Sequence, residues 1–300
     1  MALDVRRLRL LRELSARGTI AATADALSYT PSAVSQQLSA LEREAGAELL
    51  ERRGRRVRLT DAGHALVARA DEVLAALERA EAELEAGRRD VRGTVRIASF
   101  PSAARAVLPG AAGALAARHP DLVVHCSDAE PAEGLAQLRL GELDLVLSEQ
   151  FPFVPPRDLS GFECVDLFED PLDLAVGPGH EDAPADFGRL EGVPFIGGHP
   201  GTSCHMVLFH ACRAQGYEPT IVGSSNDYAV VLALVGEGLG VSLAPAIAQD
   251  LAPAGVSFKR FRPRLHRRVY AAVRAGTLAR PAIAAMLDEL RAFVARRGLA

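Results

Sequence analysis

The sequence predicts an α+β chain of several domains, and three observations carry that prediction. Short helical patterns and one arginine-rich hairpin fill residues 1–60, a heptad-spaced helix occupies 61–87, and beyond about residue 93 short strands alternate with short helices. Length and composition agree, since 300 residues at 49% hydrophobic and 24% charged, with 18 prolines, suffice for two or three packed domains.

The N-terminal elements follow from spacing and caps. Leu8, Leu11 and Leu14 mark a first helix over about residues 4–16, closed by Gly18 where a left-handed cap is favoured. Ala21, Ala24 and Leu27 then repeat at i, i+3, i+6 as a short second helix, which Ser28 and Tyr29 interrupt. Thr30 followed by Pro31 is a helix start, because the hydroxyl accepts an orphan N–H and proline sits where no donor is needed. On this third helix Val34, Leu38 and Leu41 form one apolar face and Gly46 is the stop. Ser32, Ser35, Gln36 and Ser39 face elsewhere, a polar surface without a run of charge, which suits approach to base-pair edges in a major groove.

Leu49 and Leu50 return apolar side chains to the same small core. Residues 50–53 and 56–59 then flank Gly54 and Arg55 as a β-hairpin, giving a winged helix-turn-helix. The wing carries Arg52, Arg53, Arg55, Arg56 and Arg58, five arginines in seven residues, for which a phosphate backbone is a better counter-charge than any single carboxylate. Charge is distributed accordingly: residues 1–60 carry +4, residues 61–92 carry −3, and the remainder −5, within a net −4. A basic head on an acidic body fits nucleic-acid contact at one end only. Lys259 is the only lysine, and the preference for arginine has no functional weight.

Thr60 and Asp61 start the long helix, which runs to about Gly87. Leu66, Ala70, Val73, Leu77, Ala80 and Leu84 are spaced 4, 3, 4, 3, 4, a heptad seam that calls for a partner helix and so predicts self-association. A polar hinge at 88–92 precedes the α/β body. There the expected order is strand 94–98, helix 102–118, strand 122–126, helix 133–140 and strand 143–147, a parallel sheet with right-handed crossovers. The proline-rich segment 151–156 carries the chain to a second lobe. Its strands are expected at 164–168, 172–176, 195–196, 220–222 and 241–243, with helices at 204–215 and 227–235. Strands at 256–261 and 269–273 lead back, and a last helix at 281–297 rejoins the first lobe. The lobes are therefore expected at about 93–150 with 266–300, and about 157–262.

The run TIAATADALSYTPSAVSQQLSALEREAGAELLERRGRRVRLTDAG, residues 19–63, resembles the DNA-binding signature of the LysR-type transcriptional regulators over nearly its full length. Small residues, apolar anchors, the Gly46 stop and the arginine hairpin occur in the family's order, although Pro31 and Ser32 stand where many members carry glutamine and proline. The weaker pattern beyond residue 93 is similar to that family's effector-binding domain, two α/β lobes joined by two crossings as in periplasmic binding proteins. The resemblance implies double-stranded promoter DNA as a partner, with base contacts from Pro31, Ser32, Ser35 and Gln36. It implies phosphate contacts from Thr30, Ser39, Arg52, Arg53, Arg55 and Arg56. It also implies a dimer, extending to a tetramer, through Leu66, Ala70, Val73, Leu77 and Leu84, with RNA polymerase as a further partner.

Ligands of open α/β sheets lie beyond the carboxyl ends of strands. That rule selects Ser99, Phe100, Pro101 and Ser102; Ser148, Glu149 and Gln150; Gly198, His199, Thr202 and Ser203; and Asn226 and Asp227. Hydroxyls and helix N-termini there favour a polar or anionic metabolite, and Glu149 is the residue suited to an amine. The competing expectation is capping, in which Ser102, Ser203 and Asn226 or Asp227 only satisfy their own helices. No cofactor and no metal site is expected, since His199, Cys204, His205, His210 and Cys212 lack a spacing that gathers three ligands.

An alternative is thiol-based redox sensing through Cys204 and Cys212, because a peroxide-sensing branch of the resembled family carries two cysteines in this region. Eight residues apart on one helix, they would stand roughly 12 Å from each other, beyond disulfide reach. A catalytic reading has less support: Gly236, Gly238 and Gly240 follow a helix and precede a strand, the reverse of a dinucleotide-binding turn, and no GxSxG or P-loop is present. No apolar run approaches membrane-spanning length and the N-terminus lacks a signal peptide's pattern, so a cytoplasmic protein is expected.

Overall fold

The N-terminal helices begin and end where their caps dictate. A computed structural model describes residues 3–27, 29–53, 56–87 and 91–299. Helix α1 (Val5–Arg17) starts at Asp4, whose carboxylate accepts from the Arg6 N–H, and stops at Gly18 with φ +72°. Helix α2 (Ile20–Ala26) is capped by the Thr19 hydroxyl, and α3 (Pro31–Ala45) by that of Thr30, with Gly46 at φ +65° closing it. Strands β1 (Leu50–Arg53) and β2 (Arg56–Leu59) pair antiparallel. Leu8, Leu11, Leu14, Val34, Leu38 and Leu41 form the common core, each at most 3% exposed.

Helix α4 (Asp61–Ala86) extends from this head with Thr60 as its cap. Its first turn lies against the wing so closely that a Cβ at Gly63 would fall 2.3 Å from the Leu49 carbonyl oxygen. The heptad seam divides here. Leu66 and Ala70 pack into the head's own core, which removes them from the expected dimer seam, whereas Val73, Leu77 and Leu84 remain exposed, at 45%, 36% and 76%. A second face at four-residue spacing, Ala70, Leu74 and Ala82, is buried within the same chain. Glu78 lies between them and receives Arg274 Nε at 3.3 Å and Arg280 Nη2 at 3.0 Å, tying the helix to the body. The helix therefore has an intramolecular partner as well as an open seam.

The body is built on a six-stranded sheet in the order β4-β3-β5-β10-β6-β9. Strands β3 (Gly93–Ser99), β4 (Leu122–Asp128) and β5 (Leu145–Gln150) are parallel, as the alternating pattern predicts. Between them run α5 (Pro101–Ala106), α6 (Leu108–Arg118) and α7 (Pro131–Leu140). The single helix expected over 102–118 is thus two, divided at Val107 ahead of Pro109, whose missing N–H favours a new helix start.

A larger departure concerns the crossings. The expected strand pairs 164–168 with 172–176, and 256–261 with 269–273, are each one continuous strand, β6 (Phe162–Val176) and β10 (Ser257–Arg274), paired antiparallel. Pro171 does not break β6, and a register shift between Arg260 and Leu265 absorbs Pro263 within β10. Residues 162–168 consequently lie in the first lobe, where Phe168 and Val165 join its core, and the chain crosses between lobes inside the strands.

In the second lobe β7 (Pro194–Gly197) and β8 (Thr220–Ser224) form a small parallel sheet, α8 (Ser203–Arg213) and α9 (Tyr228–Gly236) cover it, and β9 (Ser242–Pro245) edges the main sheet. Helix α10 (Pro281–Arg296) returns to pack on the first lobe through Ile283, Met286, Leu287 and Leu290.

Candidate functional site

Two candidate sites emerge, one on the head and one between the lobes. On α3 the buried Val34, Leu38 and Leu41 orient the opposite side outward: Pro31, Ser32, Gln36 and Ser39 are exposed and Ser35 is half-buried. Thr30 is engaged in capping, its hydroxyl accepting from the Ala33 N–H at 3.2 Å and lying 3.0 Å from the Ser32 hydroxyl. The wing register sets Arg53 opposite Arg56 and Arg52 opposite Val57. Gly54 and Arg55, at the hairpin's centre, lie outside the described residues, as do the hinge positions 88–90.

Between the lobes is a cavity of about 660 Å³ lined by residues of both. Pro101, Ser102, His199, Asn226 and Asp227, all expected from strand-end topology, line it. Arg105, Cys126, Ser127, Asp128 and Tyr228 line it too and were not expected. Their signal was present in part: β4 ends at Asp128, so the rule that selected the ends of β3 and β5 applies equally to β4. Asn226 joins the lobes by donating to Glu130 Oε1 at 2.9 Å, while its own Oδ1 accepts from the His199 N–H at 2.9 Å.

Other expected residues serve the scaffold beneath the cavity. Ser99 and Ser148 are fully buried, and Phe100 is 2% exposed. Of the expected caps only Asp227 is one: Thr202 rather than Ser203 caps α8, and Ser102 accepts from Arg267 instead of capping α5. Gly198 lines a small adjoining hole beside Cys204, and Ser203 receives Arg157 Nη2. Arg157, which also donates to the Glu149 carbonyl at 2.6 Å, had no sequence signal.

Glu149 is not free for an amine ligand, because the chain supplies its own cation. Arg267, 1% exposed, donates from Nη1 to Glu149 Oε2 at 2.6 Å, from Nε to Asp170 Oδ2 at 2.9 Å, and from Nη2 to the Ser102 hydroxyl at 2.8 Å. Its guanidinium also stacks 4.8 Å from the Phe100 ring centroid. Arg267 directly faces Asp170 across β10 and β6, so this cluster sits where the strands pass from lobe to lobe. Burial pushes both carboxyls above their ordinary values against the guanidinium's attraction, while the two carboxylates hold Arg267 charged. One buried cation cannot fully offset two buried anions.

Cys204 and Cys212 both lie on α8, as the helix pattern required. The Cys204 sulfur is 3.5 Å from the Tyr228 hydroxyl, and burial pushes its thiol up to about 12, far from the thiolate needed for ready oxidation. The Cys212 thiol is also raised by burial. Among the described residues no group of three or more His, Cys, Asp or Glu side chains is placed to hold a metal ion.

Comparison with known proteins adds an independent finding. Residues 5–64 match the family model described as bacterial regulatory helix-turn-helix protein, lysR family, and residues 88–295 match that of the LysR substrate binding domain. A probable hydrogen peroxide-inducible genes activator of Mycobacterium avium is 28% identical over 275 residues, covering 90% of this chain and 84% of the relative. The Hca operon transcriptional activator HcaR of Escherichia coli strain K12 is 28% identical over 264 residues, 86% of each chain. Full-length OxyR from Pseudomonas aeruginosa, in a single-substitution form, shares the fold with a TM-score of 0.63 at 23% identity, covering 97% of this chain and 95% of that one. Among the described residues no helix is long and apolar enough to cross a membrane.

Proposed function

This chain belongs to the LysR family of transcriptional regulators, and from that premise we propose that α3 and the wing bind promoter DNA while the interlobe cavity binds a small polar effector. The observation that carries the DNA assignment is the two-sided character of α3. Its apolar residues are locked into the head, and Ser32, Gln36 and Ser39 are left facing out. Pro31, Ser32, Ser35 and Gln36 act as base readers, and Thr30, Ser39, Arg52, Arg53, Arg55 and Arg56 bind phosphate. The exposed Val73, Leu77 and Leu84 pair with a second copy, which sets two recognition helices on successive major-groove faces. Tetramers and contact with RNA polymerase extend the same reading.

Footprinting upstream of the protein's own gene tests the operator, and fluorescence anisotropy with wild type and Gln36→Ala tests its readout. The variant should lose preference for the footprinted sequence over random duplex; an equal fall on both would remove Gln36 from base reading. The cavity is proposed to bind without turnover, so incubating protein with candidate metabolites should yield no new mass. The effector has to bind two arrangements of the assembly unequally, since a ligand shifts only such an equilibrium.

A further inference from the structure

We propose that the interlobe cavity selects a small organic cation, an amine or guanidinium compound; this rests on the effector-site reading above and names the ligand's charge. An anion is drawn to a helix N-terminus or a free cationic side chain, and the balance of charged side chains around the cleft opposes one. Helix α9 begins at Asp227, whose carboxylate accepts from the Ala229 N–H at 2.8 Å. Helix α7 begins at Glu130, α8 is capped by the Thr202 hydroxyl, and α5 is only six residues long. The N-termini of α8 and α9 are thus answered by the chain's own oxygens, whereas α5 and α7 carry no side-chain cap and leave the sign of the cleft to its charged side chains.

The side-chain cations are committed in the same way. Arg267 is shared between Glu149 and Asp170, and Arg105 is paired with Asp250. Among the described residues Arg157 has no carboxylate in hydrogen-bond contact, and it donates instead to the Glu149 carbonyl and the Ser203 hydroxyl. Against it stand Asp128, Glu130 and Asp227. Asp128 is exposed on the cavity wall and has no ion-pair partner among the described residues. Even with Glu130 protonated, as its burial favours, the sign of the cleft stays negative. A volume of about 660 Å³ suits a metabolite, and the lack of a three-ligand set among the described residues favours an organic cation over a metal ion.

Cys126 is a native reporter, because it is exposed and lines the cavity whereas Cys204 and Cys212 are enclosed in α8 packing. The full-length protein is treated at matched concentrations with cationic aminoethyl and anionic sulfonatoethyl methanethiosulfonate. Modification of Cys126 is followed by peptide mass spectrometry and normalised to a free thiol. The cationic reagent should be favoured about tenfold, the effect of one ordinary pKa unit of potential, and Asp128→Asn should lower that ratio. Agmatine and putrescine should then slow Cys126 labelling in wild type and less so in the variant, while succinate should not. An equal or reversed reagent ratio, or protection by succinate and not by the amines, overturns the cation assignment while leaving the effector cleft standing. If neither reagent reaches Cys126, the cleft is closed to solutes and both readings fall.

Discussion

Arg267 shows how much of the body's architecture depends on one side chain. It lies on the inward-facing series of β10 with Val269, Ala271 and Val273, just as Glu149 follows Leu147 on β5 and Asp170 follows Phe168 on β6. Three inward charges on adjacent strands must pair, since unpaired buried ions are costly. Replacing Arg267 with Met should therefore destabilise the protein by about 3–5 kcal/mol in urea unfolding, because two carboxylates are stranded; a loss under about 1 kcal/mol would contradict this. Glu149→Gln tests the opposite sign. A carboxyl whose folded pKa is raised holds its proton more tightly folded than unfolded, so its contribution is fullest below the ordinary carboxylate range and is lost as pH rises through it. The stability of Glu149→Gln relative to wild type should thus improve between about pH 4 and pH 7. A gap constant with pH would show that Arg267 already neutralises Glu149.

At the scale of elements, legibility depended on whether a pattern had one physical cause or two. The caps at Asp4, Thr19, Thr30 and Thr60 and the stops at Gly18 and Gly46 are local chemistry, so α1 to α4 were readable to within a residue or so. The seam of α4 had two causes: Leu66 and Ala70 satisfy the spacing but belong to the head, and Glu78 concealed the second face by interrupting its apolar residues. Strands β6 and β10 looked broken because proline and charge normally end a strand, and their continuity is tertiary. The remaining seam makes its own prediction. Each leucine buried against a partner contributes about 1.5–3 kcal/mol, so Leu77→Glu with Leu84→Glu should weaken dimerisation at least about a hundredfold in sedimentation velocity; an unchanged dimer would place the interface elsewhere. The buried face can be probed separately at Gly276, where φ is +92° and a Cβ would lie 2.4 Å from the Ala75 carbonyl oxygen. Gly276→Ala should lower the melting temperature and speed hydrogen exchange in α4, since both the backbone conformation and the close approach exclude a side chain.

For the whole molecule, the distribution of charge matters more than its total. A chain of net −4 should avoid nucleic acid, yet its first 60 residues carry +4 and the rest carries the excess acid. The acidic body also meets the head through directed contacts: Arg12 Nη2 donates to the Arg139 carbonyl at 2.9 Å, and Glu78 links α4 to Arg274 and Arg280. The head and α4 are therefore tied to the body through its first lobe. The wing can be tested without knowing the effector. Each phosphate neutralised contributes about 0.9 to the slope of log affinity against log salt, so Arg53→Ala with Arg56→Ala should flatten that slope by up to about 2 and weaken operator and random duplex alike. Gln36→Ala should leave the slope unchanged while narrowing the gap between operator and random sequence, because a neutral base contact releases no counterion. If the double arginine variant keeps the wild-type slope, the hairpin does not touch the backbone, and the basic surface of α1, with Arg6 and Arg9, becomes the place to look for phosphate contacts.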